Sequence, residues 1–125
     1  MNALVTEWIN KGDGDRFTAK RESEVIDAPN WDAVCFHAQQ AVEKYLKALM
    51  QKEEIPISRT HDLAQLLKSL LPSYSDLEVL IADLEWLTAF SVEIRYPGES
   101  AMKEDAEQAI IIMERAISSI GPKIR

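Results

Sequence analysis

At 125 residues, with 46% hydrophobic and 28% charged side chains, the chain is long enough for one domain with its own core, spanning 1–125, and it needs no staples. Its formal net charge of −7 opposes phosphate backbones at long range, which excludes nonspecific nucleic-acid binding over the whole surface and leaves room only for a local basic patch. The single cysteine, Cys35, excludes an internal disulfide.

The N-terminal residues carry charges and glycines too early for a signal peptide. The longest apolar run, 109–113, is too short to span a bilayer. The expectation is a soluble cytoplasmic protein with no membrane contact.

In chain order, the spacing predicts a first helix over 2–26, with Leu4, Val5, Trp8, Ile9, Phe17, Val25 and Ile26 as its apolar positions. Gly12 and Gly14 each cost such a helix about 1 kcal/mol relative to alanine, so a bend or fraying is expected there. Arg16, Lys20 and Arg21 form a small basic cluster, read as a solvated face. Asp27-Ala28-Pro29 breaks the chain.

The stretch 30–52 organises the rest. Trp31, Val34, Cys35, Ala38, Ala41, Val42, Tyr45, Leu46, Leu49 and Met50 recur at three-and-four spacing and form a broad apolar face, expected to meet the core and the fourth helix. Cys35 on that face reads as a buried small hydrophobe. Asn30 is the expected N-cap, and Asp32 suits the positive end of the helix dipole. His37, Gln40, Glu43, Lys44, Lys47 and Gln51 make up the opposite, polar face, where Glu43 and Lys47 form an i,i+4 pair.

Pro56 marks 54–59 as a loop. Thr60 or Asp62 caps a short helix with Leu63, Leu66, Leu67, Leu70 and Leu71 inward. Ser75-Asp76-Leu77-Glu78 has the capping-box form and should open a long helix to about residue 94. That helix carries two stripes, one with Leu77, Leu80, Ile81, Leu84, Leu87, Ser91 and Ile94, the other with Val79, Trp86 and Phe90. The second stripe predicts contact with another chain. Tyr96-Pro97-Gly98 stops it, Ser100 caps a last helix to residue 120, and Gly121-Pro122 is a stop signal. Nothing alternates with period two. The predicted fold is all-α, an up-and-down, mostly antiparallel bundle of four long helices and one short helix.

The sequence has no glycine-rich phosphate loop, HExxH, paired CxxC or GxSxG. With two histidines, His37 and His61, on different helices, no metal site and no cofactor are expected. Two features remain: the His37, Gln40, Lys44 stripe and Arg95-Tyr96-Pro97-Gly98. Arg95 is equally a helix-end charge and a planar fork suited to phosphate or carboxylate.

These residues carry a resemblance. Cys35-Phe36-His37-Ala38-Gln39-Gln40-Ala41-Val42-Glu43-Lys44, followed by Leu46-Lys47-Ala48-Leu49, resembles the signature helix of HEPN domains (higher eukaryotes and prokaryotes nucleotide-binding). Thr60-His61-Asp62-Leu63 with Leu66-Leu67 is similar to that family's short third helix, Arg95-Tyr96-Pro97 to the end of its fourth, and Asp15 sits where such domains often carry an aspartate. The resemblance implies a helical bundle that commonly dimerises and is often paired with a minimal nucleotidyltransferase in toxin–antitoxin-like systems. Many HEPN domains are metal-independent ribonucleases with an arginine followed four to six residues later by a histidine. Here Arg95 is present, but no histidine follows His61, which removes the acid–base group and leaves the phosphate-binding cation.

The leading expectation is thus a non-catalytic module with no catalytic residues, binding a nucleotide, an RNA or a nucleotidyltransferase partner. Its nucleotide- or phosphate-binding residues would be Arg95, Lys44, His37 and Tyr96. The rivals are a ribonuclease using Arg95 with His37 or Glu99 across a dimer, and a purely structural dimerisation module.

Overall fold

The computed structural model describes residues 2–92 and 97–125. In chain order these form α1 (Ala3–Ser23), α2 (Trp31–Lys52), α3 (Leu63–Leu70), a 3-10 helix (Ser75–Leu80) that runs directly into α4 (Ile81–Thr88), and α5 (Lys103–Ile124). No strand occurs among the described residues, and the all-helical bundle is as expected.

Two N-caps fix the starts of the first long helices. The Asn2 side chain accepts from Val5 N–H, and the Asn30 side chain from Ala33 N–H at 3.0 Å. These satisfy donors the helix itself leaves open. α1 and α2 run antiparallel: Trp8 lies over Lys47, Gly12 faces Tyr45, and Asp15 reaches His37. α5 runs alongside α2 in the same direction. Asp32 holds Ala101 N–H at one end, and Lys52 donates to the Lys123 carbonyl at the other. α4 runs against α5, with Asp83 on Arg115 and, one turn before α4, Asp76 on Lys123.

The expected apolar face of α2 is buried: Val34, Cys35, Ala38, Val42, Leu46 and Leu49 have no exposed surface. It meets α1 and α5 far more than α4. Leu63, Leu66, Leu67 and Leu70 of α3 complete the same core with Leu84 and Leu87 of α4.

Local expectations fail where tertiary packing outweighs the local signal. α1 continues unbroken through Gly12 and Gly14 and ends at Ser23, leaving Ile26 in solvent. Ser75 and Glu78 form no capping box; the segment opens as a 3-10 helix, with no side-chain cap. It aims Leu77 and Leu80 inward at 3-10 spacing, so the fourth helix of the expected bundle is built, among the described residues, from this 3-10 segment and the eight-residue α4. Ser100 is not the cap of α5; Met102 N–H instead donates to Asp105. Gly121-Pro122 does not end α5, which runs to Ile124. A proline in a last turn forfeits only one ladder bond. Burial of Ile124 and the Lys52 bond to the Lys123 carbonyl hold that turn closed.

Candidate functional site

The site begins with a close approach between α1 and α2. Gly12 has no side chain, and a Cβ there would stand 3.0 Å from Tyr45 Cδ1 and 3.3 Å from Lys44 Cβ. The glycine thus lets the backbone of α1 lie against Tyr45 and Lys44. Asp13 and Asp15 follow it and reach across to α2. The Tyr45 hydroxyl donates to Asp13 Oδ1 at 2.5 Å. Burial, reinforced by that hydrogen bond and the Asp13 charge, pushes the phenol up to about 12.

Asp15 takes two partners. One oxygen faces His37 Nδ1 at 2.8 Å, and the other accepts from the Lys44 ammonium. The structure therefore does bring His37 and Lys44 together, but on a carboxylate of the protein's own. All three side chains are largely buried.

A second cluster repeats this wiring one turn around α2. Glu43 Oε1 faces His61 Nδ1 at 2.9 Å, and Glu43 Oε2 accepts from Lys47 Nζ at 2.9 Å. Gln39 donates to Glu43 at 3.2 Å and to the backbone carbonyl of His61 at 3.0 Å, while Gln40 donates to Gln39 at 2.8 Å. Gln39, Glu43 and Lys47 are buried, and Lys47 Nζ also lies 5.8 Å from the Trp8 ring centroid. This corrects the expected polar face. Glu43 and Lys47 do pair, but inside the protein, because α1 covers one flank of α2 and the segment entering α3 covers the other. No buried side-chain polar atom among the described residues lacks a partner.

The basic cluster on α1 is likewise not simply solvated. Arg16 makes a two-pronged contact to Glu114 of α5, at 2.8 and 2.5 Å, and Lys20 lies 3.7 Å away. Arg16 holds the Glu114 carboxyl below its usual range.

Arg95 and Tyr96 lie outside the described residues. The described ends of the segment that carries them are both tethered. Thr88, the last residue of α4, accepts from Leu63 N–H at 3.0 Å, two residues after His61. Ala101 N–H donates to Asp32 in the first turn of α2 at 2.7 Å. Glu99 is exposed. No group of three or more His, Cys, Asp or Glu that could hold a metal occurs among the described residues.

The family pattern of the HEPN domain matches residues 5–121. The chain belongs to the HEPN domain family. Two solved structures share the fold. TT1696 from Thermus thermophilus is 23% identical, with a TM-score of 0.78 over 95% of this chain and 97% of that one. ST0689, described as an archaeal HEPN homologue, is 22% identical, with a TM-score of 0.76 over 97% of this chain and 98% of that one. No curated protein matches the sequence.

Sequence reasoning singled out His37 and Lys44 but assigned Asp15 only by resemblance, and it took neither Glu43 nor His61 as part of a site. Composition gave no signal of such a site, since two histidines stand among 21 acidic and 14 basic residues. Nothing in the sequence pairs them before the helices are placed.

Proposed function

We propose that this chain is a non-catalytic HEPN module, a single domain over 1–125, that binds a nucleotide and serves as the partner of a minimal nucleotidyltransferase in a toxin–antitoxin-like pair. One observation carries the non-catalytic part. The chain keeps Arg95 without a following histidine, and both of its histidines are bonded to carboxylates within the fold. Lys44 and Lys47 are paired with carboxylates of the fold, and the reading takes Arg95 and Tyr96 of the sequence motif as the residues that meet a phosphate against a net charge of −7.

A homodimer is part of the reading. Val79 and Val92 are 81% and 62% exposed, and Trp86 stacks obliquely on Phe90 at 5.1 Å with its own ring partly in solvent. Such a patch favours a partner surface. No helix among the described residues is long and apolar enough to cross a membrane, and the reading places the protein in the cytoplasm.

The test is a titration with ATP at low and moderate salt. Binding should weaken with salt, and Arg95→Ala should reduce it by about 1.5–3 kcal/mol, the worth of a charge-assisted hydrogen bond. Binding indifferent to Arg95→Ala would leave Arg95 as a helix-end charge only.

A further inference from the structure

The loop between α1 and α2 holds a large apolar side chain out in water. Ile26 is 97% exposed, more than any other large hydrophobic residue described, and Val25 beside it is 39% exposed. The course of the loop is fixed. Glu22 Oε2 accepts from Asn30 N–H at 2.9 Å, and Ala28 sits at φ +54°, a left-handed conformation unfavourable to a residue with a Cβ. An acid flanks the apolar pair on each side, in the order Glu24-Val25-Ile26-Asp27. Both of these acids are exposed, and neither carboxylate has a partner among the described residues.

The other end of the bundle carries the inverse arrangement. Where α1 begins and α2 and α5 end, a cavity of about 650 Å³ is lined by Asn2, Val5, Lys52, Ile124 and Arg125. Val5 and Ile124 are buried and form its apolar floor. Lys52 and Arg125 bring aliphatic stems as well as charge. Neither cation faces a carboxylate among the described residues. Lys52 donates to the Lys123 carbonyl, and the Arg125 guanidinium lies over Gly121, where a Cβ would stand 3.4 Å from Nη1. By contrast, Arg16, Lys44, Lys47, Arg115 and Lys123 each face a carboxylate of the fold. In a chain with 21 acidic side chains, two cations thus converge on one cavity with their charge unanswered.

One chain cannot bring the two features together. The 21 residues of α1 separate the loop from the cavity by about 30 Å. A second copy stacked end to end can. We propose that the bundle associates head to tail, Ile26 of one copy entering the cavity of the next, with Glu24 and Asp27 meeting Lys52 and Arg125. Two loops or two cavities face to face would set like charges together. The contact is therefore heterologous and does not close on two copies. It leaves the Val79 and Trp86 face free, goes beyond the function proposed above and does not depend on it. One loop in one cavity makes a small interface, so the association belongs to concentrated protein at low salt.

The experiment mixes two variants of the full chain, neither of which can associate in this way alone. The first, labelled with ¹⁵N, carries Lys52→Glu and Arg125→Glu, which keep the loop and reverse the charge of the cavity. The second, unlabelled, carries Ile26→Lys, which keeps the cavity and removes the apolar plug. Circular dichroism checks that both fold. Adding the second to about 1 mM should shift the Val25, Ile26 and Asp27 amide signals of the first, and added salt should reverse the shift. An unlabelled chain with all three substitutions should have no effect. The Val79 and Trp86 face is the same in every arm, so dimerisation through it does not distinguish them. Unmoved amides at that concentration overturn the proposal and leave the loop to a different protein. Equal shifts from the chain with all three substitutions overturn Lys52 and Arg125 as the receiving surface.

Discussion

The two glycines of α1 should respond to alanine in opposite senses. In a helix interior, Gly→Ala gains about 0.8–1.0 kcal/mol from backbone propensity alone. At Gly14 an added Cβ meets nothing within 4 Å, so the full gain should appear. At Gly12 the Cβ would stand 3.0 and 3.2 Å from Tyr45 Cδ1 and Cε1 and 3.3 Å from Lys44 Cβ. The Tyr45 ring cannot easily yield, since it is 2% exposed and its hydroxyl is tied to Asp13, the next residue after Gly12. Overpacking of this kind costs about 1–3 kcal/mol, which cancels or exceeds the propensity gain and leaves a net loss of about 0–2 kcal/mol. Thermal unfolding of the two variants side by side is the assay. For a chain of this size 1 kcal/mol corresponds to roughly 3–5 °C. Gly14→Ala should therefore melt about 3–5 °C above wild type and Gly12→Ala at or below it. Equal stabilisation by both would refute the claim that Gly12 is what allows α1 to lie against α2.

Three further outcomes follow from the same geometry. Lys47→Ala leaves Glu43 buried with only His61 and the glutamines for company, and urea unfolding should show a loss of about 3 kcal/mol, the low end for breaking a buried pair; a loss under about 1 kcal/mol would mean water reaches Glu43. Tyr45 titrates near 12 in the fold and near 10 in the unfolded chain. Because its folded value is the higher one, its contribution is complete below about pH 10 and fades as pH rises toward 12; Tyr45→Phe should flatten that alkaline loss, and an unchanged alkaline profile would contradict it. Sedimentation at increasing concentration should show a dimer that Trp86→Glu dissociates, and a monomer throughout would assign the exposed Val79 and Trp86 patch to a different partner.

The long helices were readable because burial on one side imposes its period on the sequence. The apolar face of α2 from Val34 to Leu49 shows this, and its cap Asn30 was legible as well, with Asp62 one of two candidates for the cap of α3. Neither the ends of the later helices nor the inside of α2's polar face was readable. Ser75 to Glu78 satisfies the local capping pattern, yet the core contacts of Leu77 and Leu80 decide its form. Gly121-Pro122 carries a stop signal that burial of Ile124 overrides. Glu43 and Lys47 four residues apart look the same in sequence whether they face water or a neighbouring helix, and only the placement of α1 and α3 distinguishes the two. The same holds for the candidate site: His37 and Lys44 stand out on α2, but that Asp15 would occupy both depends on the register that Gly12 permits.

The most direct test of the non-catalytic reading is the integrity of labelled single-stranded RNA incubated with the purified protein in the presence of chelator. The account predicts intact RNA at all times, since Arg95 has no following histidine and His37 is held within the fold by Asp15. Cleavage that disappears in Arg95→Ala would contradict it and make this chain a metal-independent ribonuclease.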